Sequence, residues 1–175
     1  YNGSGYLTNR LVESWNFISS SWGNLNQANY TYNANGTLNQ VVNQTWNAGT
    51  TSWDNLSRST STYDASDREL TKTDEIWSSG NWVNQSLSTN TWAANGSLSK
   101  ELFQTWNIVS TSWVNEGQSE YSYYPNGNIN QIINQEWLTN EWVNAERTTF
   151  TYGTSTSRVE IKDEKSITVY PNPAE

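Results

Sequence analysis

Ten of the eleven tryptophans in this chain come in pairs separated by six or four residues: Trp15/Trp22, Trp46/Trp53, Trp77/Trp82, Trp106/Trp113 and Trp137/Trp142. The sequence around them repeats. An aromatic residue ahead of a turn recurs at Tyr1, Tyr32, Tyr63, Trp92, Tyr123 and Tyr152, at intervals of 31 or 29 residues. The two intervals differ only in the loop between the paired tryptophans. A chain built from five copies of one short unit must bury the same side chains five times, and a unit of ~30 residues cannot bury them without its neighbours.

Each copy reads as a hairpin. A turn comes first, as in "YNANGTL", "WAANGSL" and "YYPNGNI". Asn-Gly is a strong hairpin signal because both residues tolerate positive φ. A strand leads to the first tryptophan, and a second strand leaves the second one. Alternation has period two rather than 3.6. In the second copy Leu38, Gln40, Val42, Gln44 and Trp46 are expected on one face. On the next strand Trp53, Asn55, Ser57, Ser59, Ser61 and Tyr63 are expected to share a face in the same way. The third copy has "DREL" in place of the Asn-Gly turn and Leu70 one position late, which predicts a bulge there. The predicted fold is all-β: an elongated antiparallel meander, or coiled sheet ribbon, of five hairpin repeats and about ten strands, solenoid-like. Residues 1–152 form the repeat domain, 153–166 a final strand and charged linker, and 167–175 a separate segment.

Composition narrows the function classes. Only 34% of residues are hydrophobic and 15% are charged, so most of the polarity is neutral. Aromatics make up 14%, the reverse of a disordered composition. The net charge of −8 includes no basic cluster to neutralise a phosphate backbone or an anionic membrane surface, so nucleic acid is not an expected partner. With no His and no Cys, an imidazole-based triad, a His zinc site and thiolate chemistry are excluded. The sequence has no apolar run of transmembrane length, and Gln40, Val42 and Gln44 between the aromatic rows do not form the apolar band of an outer-membrane barrel. Membrane insertion is not expected.

Pairing each hairpin with its tryptophans opposite sets an amide or carboxylate across from an Asn, one step in from the Trp pair. The pairs are Glu13/Asn24, Gln44/Asn55, Glu75/Asn84, Gln104/Asn115 and Gln135/Asn144. Two readings compete. As a glycan-binding shelf, the indoles offer flat apolar faces to sugar rings and the amides and carboxylates meet the hydroxyls. As structure, cross-strand Trp pairs and hydrogen-bonded amide rows replace an aliphatic core. The structural reading is favoured, because a repeat needs a recurring core and nothing bulkier recurs. The terminal copies, with Trp15, Trp22, Trp137 and Trp142, are expected to be the more exposed. A Thr-x-Thr grid, Thr60/Thr62, Thr89/Thr91 and Thr149/Thr151, with Asn29/Thr31 and Glu120/Ser122 as degraded versions, is expected on the opposite face. It reads as β-propensity on a solvated surface rather than an ice-binding lattice. Scattered carboxylates such as Asp64, Asp67, Asp74, Glu75 and Glu101 single out no one pocket. No catalytic residue, metal site or cofactor is expected, and the chain reads as non-enzymatic.

Two stretches resemble known families. The turn "YTYNANGTL", and "TYDASDREL" with its Tyr-Asp, resemble the YD repeats of Rhs and teneurin proteins; Asp67 stands where that pattern has Gly. The resemblance implies a long coiling sheet built from hairpins. The Trp–Trp hairpin is not part of that pattern. At the other end, "ITVYPNPAE" is similar to the opening of the C-terminal sorting domain of type IX secretion cargo in Bacteroidota, through Val169, Tyr170, Pro171, Asn172 and Pro173. It implies contact with that secretion machinery and a place outside the cell or on its surface. The expected function is a structural or adhesive extracellular module with polysaccharide or other surface proteins as partners. The alternatives are a stalk or filament building block without ligand, and an accessory domain of a secreted enzyme.

Overall fold

The computed structural model describes residues 1–153 and, beyond them, the backbone of two short strands. The ten expected strands are present: β1 (Asn9–Asn16), β2 (Ser21–Tyr32), β3 (Leu38–Asn47), β4 (Ser52–Tyr63), β5 (Glu69–Ser78), β6 (Asn81–Trp92), β7 (Leu98–Asn107), β8 (Ser112–Tyr123), β9 (Ile129–Leu138) and β10 (Glu141–Tyr152). The short strands are β11 (Val159–Lys162) and β12 (Ser166–Val169). The sheet order is sequential from β1 to β10, followed by β12 and β11, so the sheet is open. β12 runs parallel to β10, with Thr149–Tyr152 opposite Ser166–Val169. Of the motif resembling a sorting domain, Tyr170 to Glu175 lie outside the described residues. The chain divides into two units, Tyr1–Ser88 with Trp106–Ser112, and Thr89–Thr105 with Trp113–Glu175.

The turns show which residue does what. In the second copy Gly36 donates its N–H to Asn33 O, and Asn33 N–H reaches Thr37 O. Only Gly36 takes positive φ, at 92°, and Asn35 does not. The expected primed turn with two left-handed residues is therefore absent here; a four-residue turn closes on a left-handed Gly instead. Asn35 accepts the N–H of Thr37, as Asn95 and Asn126 accept those of Ser97 and Asn128. The turn with both residues left-handed sits at the other end of the hairpin, in the short Trp loops, at Ser79–Gly80 and Thr139–Asn140. In the long loops Asn16, Asn47 and Asn107 each accept two backbone N–H groups, and Ser20, Thr51 and Thr111 are left-handed.

The third copy keeps the common turn. Asp67, at φ 61°, donates its N–H to Asp64 O in the role of Gly36, and an Asp tolerates this region better than most side chains. Asp64 accepts the Arg68 guanidinium and the N–H groups of Arg68 and Ser66, which together hold its carboxyl below the usual range. The register irregularity between Thr62 and Tyr63 recurs between Thr31 and Tyr32 and between Ser122 and Tyr123. The bulge expected to be special to the third copy thus belongs to others as well. Leu70 occupies it, as Asn39 and Asn130 do elsewhere.

A second bulge, not foreseen, corrects the face assignments. In the hairpin ladder Gln44 lies opposite Asn55 but Asn43 lies opposite Ser57, so Leu56 is the extra residue. Leu25 and Ala145 take the same place in the first and last hairpins. The bulge reverses the alternation. Arg58 and Thr60 join Asn55 on the tryptophan face, while Ser57, Ser59 and Ser61 turn to the other.

Among the described residues, Ala28 is the one buried hydrophobic side chain, at 1% exposure, and no large side chain is fully buried. The sheet is held by half-buried rows within each face. At the turn end the hydroxyls of Tyr32, Tyr63 and Tyr123 donate to the carbonyls of Leu7, Leu38 and Leu98, joining the two strands of a hairpin. Tyr6 stacks on Tyr32 and lies over Gly36, where an added Cβ would approach Tyr6 Cζ to 2.9 Å. With the left-handed φ added, Gly36→Ala is expected to cost about 1–3 kcal/mol, measured as a lowered thermal midpoint.

Candidate functional site

Three of the tryptophan pairs sit directly opposite one another in the hairpin ladders: Trp15/Trp22, Trp46/Trp53 and Trp137/Trp142. With Trp77/Trp82 they share one geometry, ring centroids 4.8–5.2 Å apart and planes at 63–68°. This is edge-to-face packing, in which the positive ring edge of one indole meets the negative face of the other. Trp106 and Trp113 are both half-buried. Exposure is greatest in the first copy, 39% at Trp15 and 64% at Trp22. The fifth copy departs from expectation. Trp137 and Trp142 are half-buried, and Lys100 Nζ lies 5.9 Å from the Trp142 ring centroid.

One step in, the amide pairs meet as the spacing implies. Gln44 Nε2 donates to Asn55 Oδ1 at 2.9 Å, Gln104 to Asn115 at 2.9 Å and Gln135 to Asn144 at 2.8 Å. Glu13 stands opposite Asn24 on the exposed strand β1. Asn84 is half-buried on β6.

The pairs belong to a wider network that the hairpin-by-hairpin reading missed. Gln27 Nε2 donates to Gln44 Oε1 at 2.7 Å, Asn29 Nδ2 reaches the same oxygen at 3.0 Å, and Asn9 Nδ2 bridges Gln27 and Asn29. A continuous amide chain therefore crosses β1 to β4. Gln118 repeats the step by donating to Gln135. Gln118 is 5% exposed, and among the described residues its Oε1 has no hydrogen-bond partner. At the matching position between β4 and β5, the amides give way to charges. Arg58 Nε and Nη2 grip Glu75 Oε2 and Oε1, both at 2.6 Å, and the guanidinium lies 4.7 Å from the Trp82 ring centroid. The signal was available: Gln27, Arg58 and Gln118 fall at one repeat position, and so do Gln44, Glu75 and Gln135.

The Thr grid is not on the opposite face. Thr60 accepts from Gln40 at 3.2 Å and Thr149 from Gln131 at 3.4 Å, both on the tryptophan side, because the bulge has turned these strands over. The opposite face carries short polar pairs: Asn43 with Ser57, Asp74 with Ser59 and Ser86, and Ser119 with Asn134. There Tyr121 donates to Glu101 at 3.3 Å; burial and the nearby carboxylate push its hydroxyl above the ordinary tyrosine value. Among the described residues, no three carboxylates converge to hold a metal ion.

No family model matches the chain, and no curated protein matches it. Among solved structures, a Bacteroides fragilis protein of unknown function aligns over 73% of this chain and 93% of its own, with a TM-score of 0.58 and 16% identity. At that identity the likeness shows the fold alone. A DUF3836 family protein from Bacteroides vulgatus aligns over 50% of this chain and 88% of its own, with a TM-score of 0.42 and 14% identity.

Proposed function

We propose that the chain is a non-catalytic structural module of an extracellular or cell-surface protein, in which the tryptophan and amide rows replace a core. The observation that carries this reading is that the recurring residues are partners of one another. Each of four Trp pairs packs edge to face, and Gln44, Gln104 and Gln135 each spend a donor on the Asn across the ladder. A binding shelf keeps such groups for its ligand; a ladder uses them on itself. The surface location rests on the resemblance of 167–175 to a sorting domain. The glycan reading keeps one foothold, the first copy, where Trp22 is 64% exposed and Glu13 lies on an exposed strand.

Asn55→Ala separates the two. If the row is structural, Gln44 loses its acceptor and stability falls by about 1–3 kcal/mol. Damage should be confined to neighbouring copies, because a repeat array couples mainly nearest neighbours. Thermal melts and retention on a panel of insoluble polysaccharides are the measurements. An unchanged melt with lost retention would overturn the structural reading, and retention lost only in Trp22→Ala would restrict glycan binding to the first copy.

A further inference from the structure

One interior hairpin lifts two bare apolar side chains clear of the sheet. In the β7–β8 loop Ile108 is 70% exposed and Val109 91%, although a hairpin flanks this copy on each side. The loop is built to hold them there. Asn107 Oδ1 accepts the N–H groups of Val109 and Ser110 at 2.9 and 3.0 Å, the hydroxyls of Ser110 and Ser112 share a hydrogen bond at 2.8 Å, and Thr111 donates to Ser110 O. The β1–β2 loop repeats this frame through Asn16, Ser19 and Ser21 and presents Phe17 and Ile18, 87% and 98% exposed. The β3–β4 loop has the same frame through Asn47, Thr50 and Ser52 but carries Ala48 and Gly49. The frame therefore does not need apolar residues at these two positions. Both apolar loops belong to the first of the two units and, as loops within hairpins, leave the sheet at its tryptophan end. Scattered exposed apolar residues are ordinary on a protein surface; adjacent pairs held out on a fixed frame mark a contact.

We propose that these two loops are where the protein rests on an uncharged lipid surface, with Ile108, Val109, Phe17 and Ile18 entering the boundary between headgroups and acyl chains. Three observations favour lipid over a protein pocket. No charged residue lies between Trp106 and Trp113 or between Trp15 and Trp22, so the tips enter without dehydrating an ion. The Asn carbonyl and the paired hydroxyls already occupy much of each loop's hydrogen-bonding capacity, which lowers the cost of leaving water. The tips also share apolarity but not shape, Phe-Ile in one and Ile-Val in the other; a bilayer takes any apolar pair, whereas a protein pocket is moulded to one. Each tip stands between the two tryptophans of its hairpin, the residue type that settles at headgroup level. The net charge of −8 directs the contact to zwitterionic rather than anionic lipid. The contact is shallow and made by loops, so it needs no strand or helix to cross the bilayer. Two tips on one chain add by avidity where one alone would hold weakly. The proposal goes beyond the structural reading and does not rest on it: Asn55→Ala tests that reading and leaves both loops intact.

The test is flotation of the full chain with phosphatidylcholine vesicles, with circular dichroism confirming that each variant keeps its sheet. The parent should float with the vesicles, and less so when they contain phosphatidylserine. Ile108→Ser/Val109→Ser and Phe17→Ser/Ile18→Ser should each lower partitioning by about tenfold, and their combination should abolish it. Ala48→Ile/Gly49→Val should raise partitioning by a similar factor, because it gives the β3–β4 loop the tip of the β7–β8 loop. A parent that does not float, or partitioning that both serine pairs leave unchanged, would overturn the proposal. So would a parent that self-associates through these tips in sedimentation velocity without binding vesicles, which would assign them to a second copy of the chain.

Discussion

Replacing Arg58 by leucine is expected to destabilise the protein by about 2–4 kcal/mol, below the full cost of breaking a buried pair because both side chains are partly exposed. Glu75 is 12% exposed and would be left with its charge and without its guanidinium. The repeat supplies the rescue. The matching positions elsewhere are Gln27 with Gln44 and Gln118 with Gln135. Arg58→Gln combined with Glu75→Gln should therefore recover most of the loss, while either change alone should not. A double-mutant cycle by urea denaturation measures the coupling, and additive single effects would show that the pair is not a unit.

Removing a half-buried tryptophan should cost a similar amount. Trp46→Ala leaves Trp53 without its edge-to-face partner and uncovers the amide row beside it, for an expected loss of about 2–4 kcal/mol. Trp22→Ala should cost about 1 kcal/mol, because that indole is 64% exposed and has less area to lose. The comparison by thermal melts decides whether the tryptophans act as the core. Equal losses at the two positions would mean that ring pairing alone, and not burial, sets their contribution.

Much of this was legible because a repeat reports its own register. The Trp spacing fixes the hairpin, and placing Trp46 opposite Trp53 forces Gln44 opposite Asn55. What was not legible is where an extra residue enters. Leu56 looks like any strand residue, and period-two counting carries on through it. One uncounted bulge reverses every side chain after it, which is why Ser57 and Thr60 were expected on the wrong faces. The turns misled differently. Asn-Gly signals a turn, but its Asn acts through its side chain, and the two left-handed residues went to Ser79–Gly80 and Thr139–Asn140, where the strands continue without interruption. The Arg58–Glu75 pair was hidden because it appears only when residues one full repeat apart are compared.

The ladders cover the two halves of each strand unequally. Within a hairpin the pairing reaches the tryptophans, from Gln40 to Asn47 on β3. Between hairpins the β2–β3 register runs from Asn26 to Tyr32, beginning past the Trp end of β2. The module therefore has a stitched margin and a fringed one. At the stitched margin, near the Asn-Gly turns, a residue loosens only when the adjoining hairpin loosens too. At the fringed margin backbone pairing between hairpins gives way to side-chain contacts, as where Arg58 lies 4.7 Å from the Trp82 ring centroid and Lys100 5.9 Å from that of Trp142, so the loops can differ in length from copy to copy without disturbing the ladder.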